Sequence, residues 1–355
     1  MMNKMNSVAM QNGQLHVKQI DIPTPSAGQV LVKSLACGIC GSDIHITRHT
    51  ADVFDIYKNL GIMEQEASNE QEVLLGHEYA AEIVSYGPET KKELAIGTRV
   101  TSVPILLSAG GAGVGVTPGL YGAYSEYFIV DEALLLPIPD AVPSEAAAIT
   151  EPLAVGLHAV NRAQINTDDA AIVVGCGPIG LAAIAALKLQ GVKHIIASDP
   201  QESKKQIALE FGATEYVNPM ADDEVARATA LAGSNKVVIF ECAGVSRLLN
   251  DYILRAPAKA KIVVTGVHTA PLNVNFAYAT VKELDLIFSY YYQPEEFAES
   301  LENIASGKIA WQKMRTGKVG IDGVQGAFDT LFKPNDHIKI IIEPWRAGAL
   351  ERVTN

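Results

Sequence analysis

Hydrophobic positions fall into two regimes along the chain. Up to about residue 150 they form short runs rich in β-branched and aromatic side chains. Examples are 30–35 (VLVKSL), 80–85 (AAEIVS) and 124–130 (YSEYFIV), with Gly and Pro between the runs. This pattern predicts β-rich structure. The segment between His45 and Gly76 is largely polar and predicts one or two short helices and a surface loop. From about Thr150 to Ser289 the runs lengthen into a different rhythm. Apolar strands are predicted at 171–174, 194–199, 236–240, 261–265 and 284–288, with helices at 181–190 and 202–211 between the first of them. Apolar strands alternating with helices predict a parallel sheet covered on both faces. Beyond it a helix at 295–306 and a strand at 338–343 are predicted. Neither internal repeats nor low-complexity tracts interrupt the chain.

Composition narrows the function classes. The chain has 355 residues, 48% hydrophobic and 19% charged, which suits a folded protein of two domains. Its net charge is −12 and it holds no Lys/Arg block, so nucleic acid is not an expected partner. Apolar runs such as 181–187 are far too short to span a membrane. The opening MMNKMNSVAMQNG lacks the apolar core of an export signal. Four cysteines do not make a disulfide scaffold, and the expected location is the reducing cytoplasm.

The run Gly175-Cys-Gly-Pro-Ile-Gly180 is G-x-G-x-x-G. It follows an apolar strand and opens a helix, and Asp199 stands 19 positions after its last glycine. That context makes it a dinucleotide-binding turn. Gly175 is read as the tight turn, Gly177 as the point of closest approach to a pyrophosphate, and Gly180 as the helix–sheet contact. Pro178 and Ile179 open the helix whose N–H groups face the phosphates. A carboxylate at Asp199 accepts hydrogen bonds from ribose hydroxyls and repels a 2′-phosphate, so NAD is expected over NADP. Lys204 and Lys205 lie near enough in sequence to soften that preference. The second glycine run, 110–115, has no strand leading into it and is expected to be a loop.

The chemistry begins at Cys37-Gly-Ile-Cys-Gly-Ser-Asp-Ile-His45. Two cysteines at this spacing suit a redox pair, half of a structural zinc site, or one ligand beside a bystander. Cys40 is followed by Ser42, Asp43 and His45, then by His77-Glu78 and by Glu151. A thiolate, an imidazole and carboxylates from separate segments suit a zinc site with an open position.

In this order CGICGSDIH, GHEYAAEIVSYG, EPLAVGLHA and GCGPIG resemble the zinc-dependent medium-chain alcohol and polyol dehydrogenases, and the resemblance runs to the closing IKIIIEP. It implies an α/β architecture: a Rossmann doubly wound parallel sheet domain at 154–294, and a β-rich GroES-like catalytic domain at 1–153 and 295–355. It implies Cys40 and His77 as zinc ligands, with Asp43 orienting His77. Glu151 and Glu78 compete as the third ligand, and Cys37 matches no ligand position. It further implies that Ser42 takes the substrate proton and that His45 passes it to solvent through a cofactor ribose hydroxyl. Lys339 matches a basic residue that touches the pyrophosphate, and Val267 a loop lining the nicotinamide pocket.

Family members usually carry a second zinc on four close cysteines. Residues 101–124 contain none, so one zinc per subunit is expected. Residues 52–73 look longer than usual, and Ala81 stands where glycine is common. The expected function is hydride transfer between a secondary alcohol or polyol, or the matching ketone, and NAD. A substrate pocket is expected from residues 48–57, 105–121 and 290–292, and a homodimer or homotetramer from the family, with residues 284–288 as an edge for pairing. A zinc-free reductase of the same superfamily and a non-catalytic NAD(H) sensor are the competing readings.

Overall fold

The computed structural model describes residues 4–64, 68, 70–269 and 271–354. The chain forms two compact units, Met1–Glu151 with Leu301–Asn355, and Pro152–Ser300. No helix among the described residues is long and apolar enough to cross a membrane.

The first unit is organised on an eight-stranded sheet. Its hub is the strand Gln29–Gly38, paired antiparallel with Glu78–Tyr86, Tyr127–Asp131 and Lys339–Glu343. Val30, Val32 and Cys37 are fully buried along it, and Phe54, Tyr124, Phe128 and Phe328 fill the same core. Bulges at Leu31/Val32 and Ser34/Ala36 locally break the pairing with Glu78–Tyr86.

Three expectations shift here. The strand expected at 30–35 runs on to Gly38, because Cys37 and Gly38 pair with Ile342 and Ile341 from the far end of the chain. The strand expected at 124–130 begins only at Tyr127, and the Tyr124 side chain is fully buried. The polar segment after His45 does carry two helices, but the first starts earlier, at Gly41, and takes up Ser42, Asp43 and His45. Its N-cap is Cys40, which is not a usual capping residue, so the boundary had no local signal. Part of the long loop of that segment, residues 65–67 and 69, lies outside the described residues.

The second unit is a six-stranded parallel sheet. Its strands are β1 (Ala170–Val174), β2 (His194–Ser198), β3 (Glu215–Val217), β4 (Val237–Glu241), β5 (Lys261–Val264) and β6 (Asp285–Phe288). The spatial order is β3-β2-β1-β4-β5-β6, every neighbour parallel. This is the doubly wound arrangement, with strand order reversing between β1 and β4. Both of those strands are buried along their whole length, which is why they read as unbroken apolar runs. The helix Pro178–Leu189 buries Gly180 through Leu187. Helices at Glu224–Ala232 and Ser246–Arg255 were not assigned from sequence. The latter buries only Leu249, Tyr252 and Ile253, too narrow an apolar stripe to stand out.

Candidate metal centre and dinucleotide turn

Strand register assembles the metal group. Gly38 pairs directly with Glu78 across the sheet. Cys40 lies two residues beyond one partner and His77 one residue before the other, so the pairing brings them to the same corner. The thiol of Cys40, an imidazole nitrogen of His77 and a carboxylate oxygen of Glu78 lie within 4.8 Å of one another. Two glycines make room. A Cβ on Gly38 would lie 2.0 Å from Glu78 Oε2, and Gly76, at φ +109°, turns the chain against Tyr124, where a Cβ would lie 2.6 Å from the ring.

Asp43 braces this corner from beneath. It is fully buried at the start of the helix Gly41–Arg48, where a negative charge also meets the positive end of the dipole. Its Oδ2 accepts from the Cys40 N–H at 2.9 Å and from the Tyr124 hydroxyl at 2.7 Å. Its Oδ1 lies 3.4 Å from His77 Nδ1, an ion-pair contact without hydrogen-bond geometry. On the other side of the ring, Ser42 Oγ lies 3.3 Å from His77 Nε2. His45 follows three residues later on the same helix, its ring 4.9 Å from that of His49.

Glu78 is fully buried, and its Oε1 accepts from Lys339 Nζ at 2.7 Å. Lys339 also donates to the Ile39 carbonyl at 3.0 Å and is 1% exposed, so it is not a surface lysine. Burial alone would push its pKa down, but Glu78, Cys40 and Glu151 outweigh this and hold it above the usual lysine value. Glu151 is therefore near Lys339, in the first turn of the helix Thr150–Ala163, but outside the group of Cys40, His77 and Glu78. Cys37 is also outside it, fully buried, with burial pushing its thiol well up.

The group fits a divalent cation. Glu78 Oε2 is buried and has no hydrogen-bond donor among the described residues, a costly state for a carboxylate oxygen. Burial pushes the His77 pKa down, yet Asp43 and Cys40 more than reverse it, so the corner favours positive charge beside the ring. The same anions favour a metal in the place of that proton. Burial and Glu78 push the Cys40 thiol up, and a bound cation would reverse this by stabilising the thiolate.

In the second unit the glycine turn has the geometry its spacing implied. Gly175 has φ +89°. A Cβ on Gly180 would lie 1.8 Å from the Gly175 carbonyl, so helix and turn pack on bare backbone. A Cβ on Gly177 would meet nothing within 4 Å, so the space beside its backbone is open. Gly177 is the N-cap of Pro178–Leu189 and supplies no side-chain acceptor, so the first N–H groups suit a phosphate. Asp199 stands one residue past β2. Its Oδ2 accepts from the Cys176 N–H at 2.8 Å and its Oδ1 from the Gln201 N–H at 2.9 Å. The carboxylate thus braces the turn, with lone pairs left for other donors. Lys204 is buried in a short 3₁₀ turn after it, and Val267 is exposed on the loop after β5. The run 110–115, expected to be a loop, instead carries a two-residue strand: Ala112–Gly113 pairs antiparallel with Ile105–Leu106. A Cβ on Gly115 would lie 2.0 Å from the Gly76 carbonyl, so its backbone packs beside His77.

Two participants had no sequence signal as site residues. Tyr124 reaches Asp43 from 81 positions away. Gly38 reads as part of a cysteine motif, whereas its role is to leave space for Glu78.

The profile of the family described as Zinc-binding dehydrogenase matches residues 178–306, and that of the Alcohol dehydrogenase GroES-like domain matches 26–140. The chain is 30% identical over 341 residues to (R,R)-butanediol dehydrogenase of Bacillus subtilis, covering 93% of this chain and 96% of that one. It is 26% identical to sorbitol dehydrogenase of the same organism, covering 96% and 98%. The crystal structure of 2R,3R-butanediol dehydrogenase from Bacillus subtilis superposes with a TM-score of 0.80 at 29% identity, covering 96% of this chain and 99% of that one.

Proposed function

We propose that this chain, which belongs to the zinc-dependent medium-chain alcohol and polyol dehydrogenases, acts on a secondary alcohol or polyol, or the matching ketone, with NAD(H) as hydride partner. Its fold is the family's, a GroES-like domain with a Rossmann-type parallel sheet, and zinc and NAD are its cofactors. The relatives' names point to vicinal diols and sugar alcohols as the substrate class. The first unit is taken as the catalytic domain and the second as the cofactor domain. The observation that carries the reading is the buried, donor-less Oε2 of Glu78 beside Cys40 and His77.

Cys40, His77 and Glu78 would hold one zinc, with Glu151 the further carboxylate within reach of Lys339. A zinc held there would supply Lewis-acid polarisation of a substrate oxygen, and bound NAD would supply the hydride acceptor. Asp43 keeps His77 in one orientation. Lys339 neutralises Glu78, so a neutral substrate does not meet an uncompensated buried charge. Ser42 Oγ, at the edge of the ligand group, takes the hydroxyl proton, and His45 on the next turn passes it outward. Gly175, Gly177, Pro178, Ile179 and Gly180 would hold the pyrophosphate, Asp199 and Lys204 would border the adenosine ribose, and Val267 would border the nicotinamide. Lys339, which the resemblance assigns to the cofactor, is engaged beside the metal group by Glu78 and the Ile39 carbonyl.

All four cysteines are free, which supports a cytoplasmic location. The edge strand β6 leaves Phe288 exposed, which supports a homodimer or homotetramer joined along that edge. The test is a panel of secondary alcohols, vicinal diols and sugar alcohols assayed for NAD reduction. Turnover that disappears on chelation and returns with zinc is expected. Turnover indifferent to chelation would favour the zinc-free reductase, and tight NADH binding with no turnover on any member would favour the sensor.

A further inference from the structure

Glu241 ends β4 and is fully buried. Its Oε1 accepts from the N–H groups of Ala243 and Gly244, at 2.9 and 2.8 Å, and so shapes the loop after β4. Its Oε2 points the other way, to His268 Nε2 at 3.4 Å, on the loop after β5. The His268 side chain is only 9% exposed. Among the described residues neither of its ring nitrogens has a hydrogen-bond partner, and neither has Glu241 Oε2. A buried pair serving only as a staple would close that bond, because unmade buried hydrogen bonds are costly. The two loops touch through bare backbone. A Cβ on Gly266 would lie 2.6 Å from Gly244 Cα and 2.8 Å from Glu241 Oε2. The Thr265 hydroxyl donates to the Glu241 carbonyl at 2.8 Å, and the backbone at Ala243 borders Gly175 of the dinucleotide turn.

All of this lies at the carboxyl ends of β1, β4 and β5, beside the point where strand order reverses. In a doubly wound sheet each half of the sheet takes one half of a dinucleotide. The β1–β3 half, with the glycine turn and Asp199, takes the adenosine side. The β4–β5 ends then face the nicotinamide side, and Val267, exposed between Gly266 and His268, is the residue presented to it. We propose that Glu241 and His268 form a positioning pair that sets the loop 265–268 against the nicotinamide half of the cofactor, their unmade bond closing as that half binds. The proposal rests on the NAD-binding reading of this unit. Neither residue touches the reacting atoms.

The test compares NADH with ADP-ribose, which lacks the nicotinamide, by titration calorimetry on the full chain. For His268→Leu the Kd for NADH should rise about tenfold, the loss of roughly one hydrogen bond, while that for ADP-ribose moves less than about twofold. His268→Gln, which can still donate to Glu241, should recover most of the NADH affinity. Unchanged NADH binding in His268→Leu would overturn the proposal, as would equal weakening of both ligands. A wild-type chain that binds neither ligand would instead overturn the NAD reading beneath it.

Discussion

Gly38 and Glu78 face each other in adjacent strands so closely that a Cβ on Gly38 would lie 2.0 Å from Glu78 Oε2. The oxygen left without a hydrogen-bond donor is the one that Gly38 makes room for. Gly38→Ala should therefore displace the carboxylate from Cys40 and His77. Zinc affinity should fall by about ten- to a hundredfold, with overpacking costing roughly 1–3 kcal/mol of stability. Competition with a chromophoric chelator measures the first, and urea unfolding the second. Unaltered zinc affinity would remove Glu78 from the site.

Tyr124 donates to the same Asp43 oxygen that receives the Cys40 N–H. Tyr124→Phe keeps the ring in the core and removes only the hydroxyl. Asp43 would then hold His77 less firmly, and zinc affinity should drop by about tenfold or more with the fold retained. A change in stability of about 1 kcal/mol without any change in zinc affinity would make this bond purely structural.

Asp199 braces the Cys176 N–H as well as standing where the adenosine ribose is expected. Asp199→Ala should weaken NADH binding and raise the NADP-to-NAD preference, because a 2′-phosphate no longer meets a carboxylate. Coenzyme Kd values from fluorescence titration give the ratio. Equal weakening of both coenzymes would confine Asp199 to bracing the turn.

Asp223 caps the helix Glu224–Ala232, accepting from the N–H groups of Val225 and Ala226. The Ala226 N–H, aided by Arg255, holds its carboxyl below the usual range. A depressed folded-state pKa stabilises above the unfolded value of about 3.9 and ceases to do so as pH falls through the folded one. Asp223→Ala should cost about 1 kcal/mol near neutral pH, and the gap to wild type should narrow as pH falls below the unfolded value. Asp223→Asn, which still caps, should lose less and show little of the pH dependence. Urea midpoints across that range decide it.

What could be read from sequence alone follows the range of the interactions. The glycine turn is local: a strand, three glycines and a helix within a few residues, so its geometry at Gly175, Gly177 and Gly180 matches its spacing. The parallel sheet was legible because β1 and β4 are buried on both faces and are apolar throughout. The metal corner was legible only as a set of residue types. Lys339 meets Glu78 across 261 positions, and Tyr124 meets Asp43 across 81. Both contacts depend on sheet register and on chain ends meeting, which no local pattern encodes. The same holds for the carboxylates, which sequence left level. Pairing with Gly38 draws Glu78 to Cys40 and His77, while Glu151 is outside that group.

Zinc-edge X-ray absorption on the protein as isolated, with metal content measured on the same sample, reads the Cys40 centre directly. The expected result is one zinc per subunit with a single sulfur at about 2.3 Å and the remaining ligands nitrogen or oxygen at about 2.0–2.2 Å. Two sulfurs on the metal would make Cys37 a partner of Cys40 and contradict the site built from Cys40, His77 and Glu78, as would protein that binds no zinc at all.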